Sequence, residues 1–407
     1  MNPGLNNLQP YPFQRMRALF GDAVPNEDYA PINLSIGEPK HSTPDLIKNA
    51  LISELDKLAN YPLTKGSDEL RNAIAGYLTT RYQLDTINSD SQILPVNGTR
   101  EALFAIAQCL VEKEAAVLMP NPFYQIYEGA ALLAGAQAVY LNTTRENGFL
   151  PDIKNVSKEQ WQQCQLIYLC SPGNPSGTVA PASLLQRLIE LSDLYGFTIV
   201  ADECYAEIYP TDGTPPIGLL EVAQSIGRND FKNCLVFHSL SKRSNAPGLR
   251  SGFVAGDAKL ISSFLQYRTY HGSAMSPPSQ HASAIAWQDD LHVIENRRLY
   301  TEKFTSVIDI LKHDINIVEP DAGFYLWLNL DNRPRDSRSS NQDWQRSDTQ
   351  FAKQLYQQYN VTVLPGSYLS RESDGINPGS GYIRVALVAD LEQCVDAAKR
   401  IRDCIKQ

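Results

Sequence analysis

The sequence predicts an α/β protein: a large sheet domain followed by a smaller α+β domain. Three observations predict it. Short unbroken apolar runs alternate with helical patterns from about residue 100 to residue 256, as in strands buried on both faces. The texture changes after Pro277, where charged helical sequence precedes two further strand-like runs. Finally, 407 residues exceed one ordinary domain and suggest about two.

The elements follow in order. Residues 1 to about 30 read as an arm, because Pro3, Pro10, Pro12 and Pro25 oppose regular structure. ALFAIAQCLV (102–111) has helical spacing and leads into the run AAVLMP; YEGAALLAG then leads into AVYL. LIYLCSP, the helix SLLQRLIELSDLYG, and the runs FTIVADE, CLVFHSL and GFVAG continue the alternation, for a sheet domain over 45–290. Beyond it, NRRLYTEKFTSVIDILK is helical, GFYLWLNL and YIRVALV are strands, and LEQCVDAAKRIRDCIK is a closing helix. The polar stretch 331–349 reads as a loop, and no internal repeat is visible.

Composition narrows the function. A net charge of -9 argues against nucleic acid or an anionic membrane as partner. Seven cysteines without a CxxC pair read as reduced thiols, not a disulfide frame or a zinc site, and no metal is expected. The N-terminal stretch lacks an apolar signal segment, so a soluble, cytoplasmic protein is expected.

Ligands in open α/β sheets bind at the carboxyl ends of strands. SPGNPSG, with Asn174, follows LIYLC; Asp202, Glu203, Cys204 and Tyr205 follow FTIVA; Ser239, Ser241 and Lys242 follow CLVFH. Asn97-Gly98-Thr99-Arg100 precedes the first helix of the alternation. Taken singly, Asp202 is as well explained as a helix cap, Asn174 as a turn residue, Gly98-Thr99 as an N-cap and Lys242 as a surface lysine. Their occurrence at successive strand ends points to one site.

With these segments in their order, and Arg250 eight residues after Lys242, the chain resembles the fold-type I, pyridoxal-phosphate-dependent aminotransferases of class I/II. The resemblance runs from SIGEP at 35 to YIRVALV at 382. It implies a mixed, mostly parallel seven-stranded sheet. It also implies an arm and first small-domain segment over 1–44, a cofactor-binding domain over 45–290 and a small domain over 291–407. Lys242 then corresponds to the lysine that bonds the cofactor aldehyde and shuttles the substrate proton. Asp202 corresponds to the partner of the ring nitrogen, Tyr205 and Asn174 to partners of the ring oxygen, and Tyr124 to the residue stacked on the ring. Gly98, Thr99 and Arg100 at a helix start, with Ser239 and Arg250, correspond to the phosphate site. Arg384 matches the arginine for the substrate α-carboxylate, and Gly37 a backbone segment touching it. Tyr61 matches a tyrosine that crosses to the partner subunit's phosphate, which implies a homodimer.

NPGLNNLQPYPFQRMRALF, INLSIGEPKHSTP, SLSKRSNAPGLRSGFVAGD and HGSAMSPPSQHAS further resemble the bacterial N-succinyldiaminopimelate aminotransferases of lysine biosynthesis. Lys40, His41, Arg243 and Arg268 are candidates for the distal anionic groups of such a substrate, with solvated surface charge as the competing explanation. Another class I aminotransferase (aspartate, aromatic or N-acetylornithine) and a carbon–sulfur β-lyase stay open. A PLP-binding regulator is disfavoured by the acidic charge and the lack of room for a DNA module before residue 35. A dinucleotide-dependent dehydrogenase is disfavoured by the lack of GxGxxG after a first strand.

Overall fold

The computed structural model describes residues 1–331 and 347–407. Its strands are β1 (Ile32–Asn33), β2 (Ile93–Val96), β3 (Ala116–Asn121), β4 (Gln137–Asn142), β5 (Cys164–Cys170) and β6 (Thr198–Asp202). They continue with β7 (Cys234–Ser239), β8 (Gly252–Gly256), β9 (Tyr325–Asn329), β10 (Val361–Thr362), β11 (Leu364–Pro365) and β12 (Tyr382–Ala386). Seven of them form the central sheet in the order β2-β8-β7-β6-β5-β3-β4. Only β8 runs against the rest, antiparallel to both β2 and β7. The mixed, mostly parallel seven-stranded sheet of the α/β expectation is therefore present.

The apolar runs are unbroken because both faces are covered. Ile199 and Ala201 of β6 pack into one apolar cluster and Val200 into the other. On β7, Cys234 and Val236 face the first cluster while Leu235 and Phe237 face the second. This alternation is the period-two geometry of a strand, here with two cores to fill.

The same topology gathers the strand ends. Cys170 pairs with Asp202, and Asp202 with Phe237. Ser239 and Val96 both pair with Gly252. Asp202, Ser239, the turn after Val96 and the turn before Gly252 thus lie along one edge of the sheet.

A smaller layer holds an antiparallel sheet, β11-β12-β9, and a two-stranded parallel sheet, β1-β10. Ile32 pairs with Val361 there, so the N-terminal segment shares the apolar cluster of Leu326, Leu355, Val385 and Ile401. The arm differs from expectation. Pro12 opens a helix, Pro12–Phe20, instead of preventing one. At the first helical position proline loses no hydrogen bond, and its fixed φ suits the turn. Most of the expected loop at 331–349 lies outside the described residues, and a helix, Asp348–Tyr359, already begins at its end.

An ion pair between half-buried Arg371 and buried Glu128 ties the two layers. Arg371 donates from Nε to Glu128 Oε1 at 2.8 Å and from Nη2 to Oε2 at 2.6 Å. Tyr140 donates to the same Oε1 at 2.6 Å. Alongside, Asn121 Oδ1 accepts from the Arg371 N–H at 2.9 Å, and the Phe123 N–H donates to Leu369 O at 3.0 Å. Arg371→Ala leaves Glu128 buried and unpaired, so a loss of about 3 kcal/mol in urea unfolding at neutral pH is expected. A loss under about 1 kcal/mol, the worth of a surface pair, would show that this pair does not clamp the layers.

Candidate active site

A cavity of about 580 Å3 opens at the gathered edge of the sheet, where the smaller layer meets it. Its lining includes Gly37, Thr99, Arg100, Tyr124, Asn174, Asp202, Tyr205, Ser239, Lys242, Arg250 and Arg384. Most of the sequence-predicted site residues are thereby brought together. Gly98 lies just behind, as the N-cap of the helix Thr99–Leu110. Tyr61 does not reach this cavity; its ring is fully exposed on the surface.

Lys242 stands in the short helix Leu240–Arg243, directly after β7. Its Nζ donates to the carbonyl of Gly37, on the segment that follows β1. Burial lowers the amine to about 8. The titratable groups facing it are Cys204, Arg384, Glu38 and Asp202, none of which forms an ion pair with it among the described residues. A lysine so placed is partly neutral near neutral pH and available as nucleophile or base.

Asp202 ends β6 and is buried. Its Oδ2 accepts from the Tyr127 hydroxyl at 2.7 Å, and its Oδ1 from the Cys204 N–H at 3.3 Å. Burial pushes the carboxyl up, and the bonds from Cys204 and Tyr127 pull it back. A cation placed against it would stabilise the carboxylate further. The Tyr205 hydroxyl lies 3.1 Å from that of Tyr325.

The other wall is an anion cradle. The first turn of Thr99–Leu110 offers free N–H groups and the positive end of its dipole. Gly98 has φ +81°, and a Cβ there would run into the Arg250 guanidinium. Among the described residues Arg250 donates only to backbone carbonyls, Pro247 O at 2.9 Å and Asn97 O at 3.5 Å. Ser239 Oγ accepts from the Ser241 N–H at 3.1 Å, beside the same turn.

Arg384, on β12, closes the site from the smaller layer. Its Nη1 donates to Asn174 Oδ1 at 2.9 Å and its Nη2 to Ser35 O at 2.8 Å. Its Nε is buried without a hydrogen-bond partner among the described residues, and its guanidinium lies 4.4 Å from the centre of the Tyr325 ring. A buried guanidinium held by neutral groups fits a carboxylate arriving from solution.

Two distal-group candidates fall out. Arg243 is 2% exposed and donates to Ala286 O, Asp289 O and Asp290. Arg268 is 1% exposed and paired with Glu101 at 2.8 Å. Both are structural cations outside the cavity, because an arginine can spend its donors on helix-end carbonyls or a carboxylate. Lys40 is exposed and paired with Glu38, and His41 lies behind Lys242. Tyr11, Tyr127, Cys204 and Tyr325 were not assigned roles from sequence. Tyr127 follows Tyr124 by three residues, a helical spacing that could have flagged it.

Comparison with known proteins agrees. The family model "Aminotransferase class I and II" matches residues 30–401. An aminotransferase of Neisseria meningitidis Z2491 is 48% identical, with a TM-score of 0.92 over 98% of this chain and 99% of that one. The aminotransferase AspB of Helicobacter pylori 26695 is 34% identical, with a TM-score of 0.88 over 98% and 99%. An LL-diaminopimelate aminotransferase of Desulforudis audaxviator is 28% identical over 98% of this chain and 97% of its own.

Pyridoxal phosphate, the cofactor of this family, fits the residues present: a lysine partly neutral near neutral pH, a buried carboxyl and, beside a helix start, an arginine with no carboxylate partner among the described residues. Capture of added pyridoxal phosphate by the cofactor-free protein should rise with pH and reach half its maximum near 8, since the neutral amine is the reactive form. Stopped-flow absorbance checks this, and a midpoint near the ordinary lysine value of 10.5 would remove burial of Lys242 as the cause. Lysine, carboxyl and cradle on one sheet edge, with a family match over nearly the whole length, make this chain a member of the class I and II aminotransferase family and a pyridoxal-phosphate-dependent transaminase.

Proposed function

We propose that the enzyme moves an amino group between N-succinyl-LL-2,6-diaminopimelate and 2-oxoglutarate, giving N-succinyl-2-amino-6-oxopimelate and glutamate, in lysine and diaminopimelate synthesis. The observation that carries this reading is three arginines on one cavity. Arg250 belongs to the anion cradle and Arg384 to an α-carboxylate. Arg100 has no carboxylate partner among the described residues; its guanidinium lies 5.5 Å from the centre of the Tyr11 ring. A substrate with several carboxylates uses all the positive charge that remains.

The bound cofactor supplies an electron sink for the substrate α-carbon. The chain's own residues do the rest. Arg384 and the Gly37 backbone hold the α-carboxylate, and Asn174 steadies the guanidinium. Lys242 takes the proton from the substrate α-carbon and would return it to the former aldehyde carbon of the cofactor, two bonds away across the nitrogen, as its lowered pKa permits. Asp202 would hold positive charge at the ring nitrogen of the cofactor. Tyr205 and Asn174 would meet the ring oxygen and Tyr124 would stack on the ring, while Gly98, Thr99, the backbone N–H of Arg100, Ser239 and Arg250 would hold the phosphate, which leaves the Arg100 guanidinium for the substrate. Two half-reactions through one site give ping-pong kinetics.

The active unit in this reading is a cytoplasmic homodimer. Tyr61 sits in an exposed apolar run with Ile52, Leu58 and Leu63, a surface suited to burial against a second copy. If Tyr61 serves the partner's phosphate, mixing the deficient variants Y61A and K242A restores activity, because each hybrid dimer regains one intact site. Failure of mixing to restore activity would return Tyr61 to the surface.

A second reading takes free LL-diaminopimelate as donor; the relatives at 26–28% identity that carry that activity in their names favour it. Single half-reactions, followed by the cofactor absorbance, separate the two. Conversion is expected to be fast with the N-succinyl compound and glutamate, and slow with free LL-diaminopimelate, aspartate, N-acetylornithine and phenylalanine. Faster conversion by free LL-diaminopimelate establishes the second reading, and faster conversion by any of the last three ends both.

A further inference from the structure

Behind Lys242, away from the cavity, three polar side chains form a line. Lys303 is 2% exposed, and its Nζ lies 2.6 Å from His41 Nε2. His41 Nδ1 lies 2.8 Å from Asn296 Oδ1. Asn296 Nδ2 donates to the backbone carbonyls of Lys242 at 3.3 Å and Arg243 at 3.4 Å. Asn245 Nδ2 also donates to Asn296 Oδ1 at 3.0 Å, and Thr43 Oγ1 to Asn245 O at 2.6 Å. No ion pair joins Lys303 to a carboxylate among the described residues. A buried lysine without a counter-ion is costly unless its position has a use.

The direction of every bond in this line can be derived. Carbonyl oxygens only accept, so the Asn296 atom facing Lys242 and Arg243 is its amide nitrogen. Its oxygen therefore faces His41, and His41 Nδ1 carries the hydrogen. The neutral ring then accepts at Nε2, and an ammonium only donates, which is what Lys303 supplies there. Both ends dictate the same sense: Lys303 to His41 to Asn296 to the Lys242 carbonyl. Such an aligned chain polarises along its length and holds its members more firmly than isolated bonds do.

The line joins three segments. Asn296 and Lys303 lie on one helix, Leu291–Leu311. His41 lies on the segment whose Gly37 carbonyl accepts from Lys242 Nζ. The third segment is the short helix of Lys242 itself. Hence the segment 37–41 meets Lys242 twice, directly at the amine and through Asn296 at the backbone.

We propose that His41, Asn296 and Lys303 are positioning residues for Lys242: a one-way hydrogen-bond chain that fixes the lysine backbone and the Gly37 segment to a single helix, and so holds the amine at its working place. The inference rests on the aminotransferase reading of the cavity. Among the described residues the charged or titratable groups facing the chain are Glu295 at His41, Asp390 and Cys394 at Lys303, and Tyr300, whose ring lies 4.8 Å from that of His41 and 5.0 Å from Lys303 Nζ. Those facing Lys242 are Cys204, Arg384, Glu38 and Asp202. Burial lowers both His41 and Lys303, in keeping with a neutral ring beside one cation.

The test uses Lys303→Met, Asn296→Leu and Asn296→Asp in the full-length protein. Three quantities are read: thermal unfolding, the pH midpoint for capture of pyridoxal phosphate by the cofactor-free protein, and the single-turnover rate with glutamate. Lys303→Met removes an unpaired buried cation, so its thermal stability should hold or rise. Its capture midpoint should nevertheless move up from about 8 toward 10.5, as Lys242 loosens and meets water. Its single-turnover rate should fall roughly tenfold to a hundredfold, the scale for a misplaced reacting group. Asn296→Asp sets an oxygen against both carbonyls and should act as Asn296→Leu does or more strongly. Folded variants that keep the wild-type midpoint and rate overturn the proposal, as does a rate that falls only in step with lost stability. If wild-type protein itself captures no pyridoxal phosphate, the cofactor reading falls instead; that outcome is distinguishable because it does not depend on the variants.

Discussion

The constraint on which this structure depends is that a lysine amine and a buried carboxyl share one cavity without neutralising each other. Asp202 ends β6 and Lys242 stands just past the end of the neighbouring β7, so the two would pair readily if their side chains pointed together. The fold keeps each occupied. Tyr127 and the Cys204 N–H take the carboxyl oxygens, and the Gly37 carbonyl takes the amine. Each of these neighbours is neutral, so neither charge is cancelled in advance. A paired lysine would stay protonated and a paired aspartate would have no field to lend. The burial that lowers Lys242 to about 8 is thus useful only because the carboxyl has other partners.

The sheet supplies that arrangement and the smaller layer completes it. Parallel strands set neighbouring strand ends about 5 Å apart, which spreads Asn174, Asp202 and Lys242 along one edge. Arg384 enters from β12, whose register with β9 fixes it opposite Trp327. The smaller layer is held by more than contact of apolar surfaces. Glu128 and Arg371 lock the strand-end segment of Phe123 and Tyr124 to the loop after Leu369.

Much of this was legible in the sequence because it depends on strand ends. Apolar runs mark strands, and the residues just past each run lie on the ligand edge; Asn174, Asp202 and Lys242 were found that way. Arg384 and Tyr124 came from resemblance, since a strand arginine and an aromatic residue near a helix have no local signature. Arg243 and Arg268 misled because a basic residue near a motif looks the same whether it meets substrate or a helix-end carbonyl. Tyr325 and Tyr127 stayed hidden in apolar runs, where a hydroxyl is invisible until the partner that it meets is known. Pro12 was read as a breaker because its effect depends on whether it falls inside a helix or at its first position.

The two-stranded sheet of β1 and β10 carries a consequence for how the molecule is made. It joins Ile32 to Val361, so one of its partners emerges from the ribosome long before the other. During synthesis the segment with Gly37 and His41 has no strand to join until nearly nine-tenths of the chain exists. The central sheet, by contrast, has all its strands once residue 256 has been made. The part of the chain that meets Lys242 at its amine and, through Asn296, at its backbone is therefore among the first to be translated and the last to find its place, and completion of the cavity coincides with completion of the fold.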